Sequence, residues 1–457
     1  MVVQSINPAT EQVIDTFEEF SDAQVDAALQ QAHDAQHQWR TTSFGERAAR
    51  LQSVARLLRA EKTRLATLAT AEMGKPIVEA EAEIEKCAWN CDFYAEHAAS
   101  YLADEHVESS ATESYVAFEP LGVVLAIMPW NFPFWQVMRF AAPALMAGNG
   151  AVLKHASNVP GCALAIEDIL VRGGLPQGLF RTVLVPGSKV EPLIADPRIQ
   201  AVTLTGSSEV GERVASAAGR HLKKQVLELG GSDPFIVLAD ADLAAAATTA
   251  VRARNQNNGQ SCIAAKRFIV EERVADEFTA RFVEAVKALR VGDPMQRDTN
   301  VGPLARQDLR AALADQVDRS VARGAHTAVG GSVLDGKGYY YAPTVLEGVD
   351  DAMPAFREET FGPVAAVIRA TDPDHAVRLA NDTEYGLGSA LWTRDIALAR
   401  DLARRIEAGN VFINGMVASD PRLPFGGVKR SGYGRELGEF GIREFVNIQT
   451  VWIGPAR

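Results

Sequence analysis

The sequence predicts an α/β protein with a doubly wound parallel sheet, because short apolar runs alternate with helical stretches from Val123 onward. A second series of the same kind runs from Ala264 to Val411, whereas the first third of the chain has helical periodicity. The 457 residues suffice for two or three domains of roughly 100–200 residues each. We therefore expect more than one α/β unit, preceded by a helical region.

The helical region begins with a capping box, in which Ser21 is followed three residues later by Gln24. Apolar residues then recur at helical spacing until Gly74 and Pro76 interrupt the pattern. A further helix is predicted from Ile77 to Tyr101.

Six short apolar runs predict the strands of the first α/β series: Val123–Met128, Ala151–Lys154, Thr182–Val185, Ala201–Thr205, Gln225–Leu229 and Pro234–Leu238. Ligands of such sheets bind outside the carboxyl ends of the strands. A nucleotide site is therefore expected there.

Two further strand-like segments lie outside these series. The polar stretch Ala103–Ser114 leads into Tyr115–Glu119, where alternating residues predict an exposed strand. A glycine-rich stretch, Gly426–Gly441, precedes the last strand-like run, Phe445–Ile453. The first segment would form an arm outside a compact domain.

Charge and hydropathy exclude two classes of partner. The 46 basic and 58 acidic residues give a net charge of -12, which repels a nucleic-acid backbone. The segment Met1–Thr10 lacks the basic flank and apolar core of a signal peptide, and the strongest apolar run stops at Pro129, far short of the roughly 20 residues of a membrane span. We expect neither a nucleic-acid partner nor a membrane one.

The four cysteines, Cys87, Cys91, Cys162 and Cys262, have spacings that fit neither a disulfide framework nor a zinc site. Their small number suits a reducing compartment, so a cytoplasmic protein is expected. His33 and His37 lie four residues apart on a helix face with a solvated pattern, and no metal site is predicted.

Cys262 lies between a predicted helix and the predicted strand Ala264–Val270. A cysteine in this position is either a small buried apolar residue or an exposed nucleophile. The preceding Asn258-Gly259-Gln260-Ser261 favours the nucleophile, because glycine beside polar residues permits close approach of a ligand and offers N–H groups to an oxyanion.

Glu228 ends an apolar strand and is followed by Gly230 and Gly231. A carboxylate there is either a solvated strand end or a general base whose pKa is raised by apolar surroundings. The sequence leaves both interpretations open.

Two further turns carry polar groups at strand ends. Asn131 lies between Pro129 and Pro133, where the fixed backbone indicates either a preorganised amide donor or merely a rigid turn. The Gly206–Gly211 turn follows a strand and opens a helix, which directs free N–H groups toward a phosphate.

Taken together and in order, eight short motifs resemble those of the aldehyde dehydrogenase superfamily: Pro129–Pro133, Lys154, Gly206–Gly211, Glu228–Gly231, Gly259–Cys262, Glu358–Pro363, Pro424–Lys429 and Gly432–Glu436. The resemblance covers essentially the whole chain. Within the superfamily the chain is most similar to short bacterial succinate-semialdehyde dehydrogenases, through Lys154–Asn158, Asn257–Lys266 and Asn414–Met416.

The resemblance implies an aldehyde dehydrogenase-like fold with three parts. Residues 1–102 and 121–228 would form the doubly wound cofactor domain, and residues 229–430 an α/β catalytic domain. Residues 103–120 and 431–457 would form a small β oligomerisation element, in which the arm extends a neighbouring subunit's sheet. A homodimer or homotetramer is implied.

The same resemblance implies the chemistry. The Cys262 thiolate would attack an aldehyde, Asn131 and the Cys262 N–H would hold the oxyanion, and Glu228 would activate water to hydrolyse the thioester. The residues implied to contact the cofactor are Trp130, Lys154, Ser157, Gly206, Ser207, Leu229, Glu359 and Phe361.

Cofactor choice depends on Ser157, three residues after Lys154. NAD-specific relatives usually carry glutamate at this offset, where the carboxylate repels a 2′-phosphate. Serine removes that repulsion, so NADP is predicted, with NAD possible if Ser157 only caps the following helix.

The predicted substrate is succinate semialdehyde or a similar short aldehyde with a carboxylate. Arg139 stands where this branch places an arginine that pairs with the carboxylate, and Ser419 would donate a further hydrogen bond. A structural ion pair is the alternative role for Arg139.

Three positions depart from the patterns of relatives. Phe140 replaces the lysine of a proposed proton relay with the glutamate that matches Glu436, so the relay is not assigned. Gln256 replaces an arginine found in many succinate-semialdehyde enzymes, and Ala264 replaces a second cysteine. The first change weakens a two-arginine clamp, and the second argues against a cysteine-pair redox switch.

Other functions stay open at this stage: a broader aliphatic or glutarate-semialdehyde dehydrogenase, a CoA-acylating enzyme, or an inactive structural homologue. CoA-acylating relatives usually lack the glutamate that matches Glu228, and an inactive homologue would be expected to lose Cys262 or Glu228.

Overall fold

A computed structural model describes residues 2–455, which begin with an antiparallel hairpin of β1 (Val2–Ile6) and β2 (Val13–Glu18). Four helices and two strands follow: α1 (Asp22–Trp39), α2 (Phe44–Ala60), α3 (Lys62–Met73), α4 (Ile77–Tyr101), β3 (Glu105–His106) and β4 (Glu113–Pro120). The helical region and the bounds of α4 agree with the sequence prediction, whereas the hairpin was not predicted. The capping box at Ser21 is present.

The first α/β series forms a parallel sheet in the order β9-β8-β5-β6-β7. Its elements are β5 (Val123–Met128), α5 (Trp135–Met146), β6 (Gly150–His155), α6 (Pro160–Arg172), β7 (Phe180–Thr182), α7 (Val190–Ala195), β8 (Ile199–Thr205), α8 (Ser208–Arg220) and β9 (Lys224–Glu228). The interiors of its strands are almost wholly apolar, as expected for a sheet covered by helices on both faces.

The second series forms a seven-stranded sheet in the order β12-β13-β14-β11-β10-β15-β16, in which only β12 is antiparallel to its neighbour. Its elements are β10 (Pro234–Val237), α9 (Leu243–Asn255), β11 (Arg267–Glu271), α10 (Glu272–Lys287), α11 (Gln307–Val321), β12 (His326–Val329), β13 (Thr344–Glu347), α12 (Pro354–Arg357), β14 (Val364–Ala370), α13 (Pro373–Asn381), β15 (Gly388–Trp392), α14 (Ile396–Arg405) and β16 (Asn410–Ile413).

The run Pro234–Leu238 was predicted in the first series, and this assignment was wrong. β10 pairs with β11 and β15, so it belongs to the second sheet. An apolar run predicts a strand but does not specify the strand's partners. The chain therefore passes from one sheet to the other between Glu228 and Pro234.

The last elements return to earlier parts of the chain: β17 (Gly432–Tyr433), α15 (Gly438–Arg443) and β18 (Val446–Ile453). β17 pairs antiparallel with β9, and Gly432 lies opposite Glu228. β18 pairs antiparallel with β4, so the arm and the C-terminal strand form one three-stranded sheet. The division into three domains and the role of this sheet in assembly stay predictions.

Within residues 2–455, no helix combines the length and the apolar composition that crossing a bilayer requires.

Candidate active site

Cys262 lies in the loop between α9 and β11, where the chain makes an unusual turn. Asn257, Asn258 and Gly259 have positive φ angles of 56°, 59° and 73°. This left-handed conformation is disfavoured for residues with side chains, although asparagine tolerates it better than most. A Cβ at Gly259 would lie 2.3 Å from the carbonyl carbon of Gly362, so a side chain does not fit there.

Contacts from distant segments hold this turn. The Asn257 N–H donates to Glu79 Oε2 at 2.6 Å, and the Asn257 side-chain amide donates to the carbonyl of Asn131 at 2.7 Å. The Asn258 side-chain amide donates to the carbonyl of Gly74 at 2.8 Å. Helix α4, the turn after β5 and the end of α3 therefore meet at the cysteine loop.

Lys266 also holds the cysteine loop, through hydrogen bonds to its carbonyl groups. Its buried Nζ donates to the carbonyls of Ser261 at 2.9 Å and Cys262 at 2.5 Å, and it pairs with Glu359 at 3.5 Å. Burial lowers the pKa of this ammonium. Lys266 was not among the predicted site residues, although a lysine four residues after the cysteine, at the start of an apolar strand, was a visible signal.

Cys262 is the one cysteine of the four that is not fully buried by its surroundings. Enclosure by the protein raises the pKa of its thiol to about 12, although the positive charges of Lys266 and Arg139 act in the opposite direction. The carboxylates of Glu359 and Glu228 raise it further. The resting group is a thiol at neutral pH, and nucleophilic attack requires removal of its proton.

Glu228 ends β9 with its side chain buried. Neither carboxylate oxygen has a hydrogen-bond partner among the described residues, and a Cβ at Gly426 would lie 2.9 Å from Oε1. Burial raises the pKa of this carboxyl well above its ordinary value; Arg139 opposes the rise and Glu436 adds to it. This is a buried, unpartnered carboxyl, not a solvated strand end.

Arg139, on α5, forms an ion pair with Glu436, and both side chains are only 2% exposed. Its Nη2 donates to Thr205 Oγ1 at 3.3 Å, and the guanidinium lies 5.0 Å from the centre of the Phe425 ring. The structure thus contains the ion pair that the sequence left as an alternative. A substrate-binding role for Arg139 stays a prediction.

A cavity of about 400 Å³, which we call the Cys262 cavity, opens beside the thiol. Its polar and charged lining includes both predicted substrate residues: Glu79, Glu83, Lys86, Gln136, Arg139, Arg252, Asn255, Gln256, Asn257, Asn300, Ser261 and Ser419. Its apolar lining includes Phe132, Trp135 and Phe425. Glu228 is not among the lining residues, although its charge acts on the thiol.

Asn131 is buried, and its side-chain amide donates to the carbonyl of Gln260 at 3.0 Å. The same carbonyl accepts from the Asn257 amide at 2.9 Å. The first contact holds the Asn131 amide against Gln260, which lies two positions before Cys262 in the chain, as a preorganised donor requires. Its role as oxyanion donor stays a prediction.

A second cavity of about 560 Å³, which we call the Ser157 cavity, lies at the carboxyl ends of β6 and β7. Lys154 and Ser157 both line it, together with Arg306 and Glu19. Burial lowers the pKa of the Lys154 ammonium. Arg306 pairs with Asp308 at 2.9 Å, and contact of Lys154 with a ligand phosphate stays a prediction.

The predicted phosphate turn precedes helix α8. Ser207 caps the helix by accepting from the N–H of Val210, and the Gly206 N–H donates to the carbonyl of Glu228 at 3.0 Å. Leu229 packs on this helix so closely that a Cβ at Gly211 would lie 2.5 Å from it. The turn is thereby tied to the strand that carries the buried carboxyl.

Two of the residues predicted to contact the cofactor touch each other: the Trp130 and Phe361 rings make an edge contact at 5.8 Å. The guanidinium of Arg306, which lines the Ser157 cavity, lies 5.9 Å from the Trp130 ring. Glu359 accepts from the N–H of Gly231 at 3.1 Å. The cofactor contacts of Trp130, Phe361 and Glu359 stay predictions.

Sequence comparison gives a family match over almost the whole chain. The aldehyde dehydrogenase family model matches residues 1–451. The chain is 54% identical over 453 residues to a probable succinate-semialdehyde dehydrogenase [NADP(+)] of Synechocystis, covering 99% of this chain and 100% of that protein. It is 53% identical over 461 residues to the succinate-semialdehyde dehydrogenase [NADP(+)] of Mycobacterium avium, covering 100% and 98%.

Structural comparison agrees. The crystal structure of succinic semialdehyde dehydrogenase from Streptococcus pyogenes, in complex with NADP+, matches with a TM-score of 0.97 and 37% identity. The match covers 99% of this chain and 100% of that one. The fold class predicted from the motifs is therefore confirmed.

Proposed function

The chain belongs to the aldehyde dehydrogenase family, and from that premise we propose that it oxidises succinate semialdehyde to succinate with NADP+. The observation that carries the proposal is the Cys262 cavity, where a thiol faces a ligand space lined by cationic side chains. Those cations suit an aldehyde that bears a carboxylate.

In the proposed reaction, the Cys262 thiol first gives up its proton to solvent, and the resulting thiolate attacks the aldehyde carbon to form a thiohemiacetal. The Asn131 amide and the Cys262 N–H stabilise the oxyanion. Bound NADP+ supplies the acceptor for the hydride that leaves this carbon. The carbon then remains on sulfur as a thioester, which water must hydrolyse.

Glu228 is the proposed base for that hydrolysis. Its carboxylate has no hydrogen-bond partner within residues 2–455 and its pKa is raised, so it accepts a proton from water more readily than an exposed glutamate does. The tetrahedral intermediate then releases succinate and the Cys262 thiolate.

The residues of the Ser157 cavity fit NADP+. The Lys154 ammonium and the Ser157 hydroxyl line the same space, and both can contact a 2′-phosphate. Helix α6 begins with Val159 as its N-cap and has no side-chain cap, so Ser157 is not occupied in capping it. The alternative explanation for Ser157 therefore loses its support.

We expect Ser157→Glu to shift the preference from NADP+ toward NAD+, because the carboxylate repels the 2′-phosphate and accepts hydrogen bonds from the ribose hydroxyls. The ratio of kcat/KM for NADP+ over NAD+ should fall by about 10- to 100-fold. Ser157→Ala is the matched control and should lose only the hydroxyl contact. A wild-type enzyme that prefers NAD+, or a ratio unchanged in Ser157→Glu, would refute the cofactor assignment.

Steady-state kcat/KM for a panel of aldehydes tests the substrate. We expect succinate semialdehyde to exceed butanal, which has the same number of carbons and no charge, and to exceed glutarate semialdehyde, whose chain is longer. Equal values for succinate semialdehyde and butanal would favour the broader aliphatic dehydrogenase instead.

Assembly and compartment belong to the same proposal. The sheet of β3, β4 and β18 carries exposed Ile448, Trp452 and Ile453, and the exposed Val107 directly follows β3, which favours use of this sheet as a contact between copies of the chain. We propose a homodimer or homotetramer. The four free cysteines favour a reducing compartment, and we propose the cytoplasm.

A further inference from the structure

Lys86 is a cation in the Cys262 cavity that the sequence motifs do not include. It lies on α4 two helical turns after Glu79, on the face that also presents Glu83 to the cavity. Its Nζ donates to Ser419 Oγ at 2.7 Å and lies 4.3 Å from the centre of the Trp135 ring. The recorded partners of this ammonium are therefore a neutral hydroxyl and an aromatic face.

Glu83 does not neutralise Lys86, because other groups occupy its carboxylate. Its Oε2 forms a buried ion pair with Lys75. Its Oε1 accepts from the backbone N–H groups of Phe134 and Trp135, each at 2.8 Å. This carboxylate is committed to holding the start of α5.

Asp420, the other carboxylate that acts on Lys86, is likewise engaged. Arg422 donates to both of its oxygens, from Nε at 2.9 Å and from Nη2 at 2.6 Å. This contact holds the pKa of Asp420 below its usual value. Among the described residues, Lys86 therefore forms no ion pair with a carboxylate.

The other two cations of the cavity are poorer candidates for binding an anion. Arg139 is already paired with Glu436. Arg252 lies exposed on α9, where water screens its charge. Lys86 combines partial burial with the lack of a charged partner, and a carboxylate beside it would offset the cost of that burial.

The acidic residues of the cavity do not prevent an anionic ligand from entering. The charge of Glu83 is compensated by Lys75. Burial raises the pKa of Glu79 to about 7, so this group is partly protonated at neutral pH.

We propose that Lys86 is the specificity-determining residue that binds the carboxylate of the substrate, with Ser419 as its partner. The Ser419 hydroxyl accepts from the ammonium and keeps its own proton to donate to a carboxylate oxygen. The carboxylate would then be held by two neighbouring donors from α4 and from the loop before Pro424. This inference rests on the proposed function.

The test compares kcat/KM for succinate semialdehyde and for butanal in wild-type enzyme, Lys86→Met and Lys86→Arg, with saturating NADP+. We expect Lys86→Met to lower the ratio of the two values by about 10- to 100-fold, mainly through KM for succinate semialdehyde. Lys86→Arg keeps the charge and should retain most of the preference. Ser419→Ala should give a smaller loss.

Lys287→Met is the matched control, because Lys287 is an exposed lysine on α10 and the change should leave the ratio intact. If Lys86→Met keeps the wild-type preference for succinate semialdehyde over butanal, Lys86 does not bind the carboxylate, whereas the proposed substrate stands. If the wild-type enzyme itself lacks this preference, both the proposed substrate and the role of Lys86 are overturned. If Lys86→Met does not fold, the same ratio of kcat/KM values in Lys86→Arg and Ser419→Ala decides. A ratio that falls in Ser419→Ala and is retained in Lys86→Arg supports binding of the carboxylate by Lys86. Any other pattern opposes it.

A pH profile supplies a second readout. Burial and the charge of Arg139 lower the pKa of Lys86 to about 8, whereas Asp420, Glu83 and Cys87 act on it in smaller measure. The protonated form binds the anion, so the ratio should fall as pH rises through about 8. Lys86→Arg should lack this fall, because the guanidinium keeps its proton, whereas a change near pH 7 that comes from Glu79 should be the same in both proteins. A flat wild-type ratio would oppose the assignment.

Discussion

Cys262→Ala should lose at least about 10⁴-fold in kcat/KM with every aldehyde, because Cys262 is the only thiol among the described residues that line the cavity. Cys87, Cys91 and Cys162 are fully buried and cannot substitute for it. The measurement is NADPH formation under single-turnover conditions. Cys262→Ala should form less than one equivalent of NADPH per subunit.

Cys91→Ala is the matched control for this experiment. Cys91 is packed within α4 and should be dispensable for turnover, at a modest cost in stability. NADP+ affinity and the unfolding midpoint of Cys262→Ala should stay close to wild type, which separates loss of chemistry from loss of fold. Substantial NADPH formation by a folded Cys262→Ala enzyme would contradict the covalent mechanism.

Glu228→Gln should separate the two halves of the reaction. Acylation and hydride transfer do not need this base for water, so a burst of about one NADPH per subunit is expected. Steady-state turnover should then fall by about 10²- to 10⁴-fold, because the amide cannot take the proton of the attacking water. Stopped-flow absorbance followed by mass spectrometry of the accumulated thioester would record both phases.

Glu228→Gln preserves the shape of the side chain. Because the carboxylate oxygens of Glu228 have no hydrogen-bond partners among the described residues, the fold should be little affected. Glu284→Gln, on the exposed face of α10, is the control for the same chemical change. Undiminished steady-state turnover in Glu228→Gln would show that another group activates water. Rapid release of the acyl group only when CoA is added would instead favour the CoA-acylating alternative.

The sequence predicted secondary structure well where buried apolar residues recur at regular spacing along a helix or strand. Helix α4 follows from the spacing of its apolar residues, and its bounds agree with the prediction. The hairpin of β1 and β2 was missed because most of its residues are exposed, which leaves no apolar alternation to detect. The error over Pro234–Leu238 arose because strand partners depend on tertiary structure.

The same limit applies to the site. Cys262, Glu228 and Asn131 could be predicted as site residues because each lies in a short motif at the end of an element. Lys86 and Lys266 could not, because their contacts are with distant segments, such as Ser419, which is 333 positions away from Lys86. The pairing of Arg139 with Glu436 likewise joins two distant parts of the chain.

The left-handed turn at Asn257 and Asn258 has a consequence for folding. Its backbone opposes local preference by on the order of 1 kcal/mol or more at each residue, so the turn is not stable by itself. We expect it to form only once Glu79, Gly74 and the turn at Asn131, which supply its hydrogen bonds, are in place. The geometry of Cys262 should then be completed late in folding, and recovered activity should report completion of the tertiary structure better than recovered helix content does.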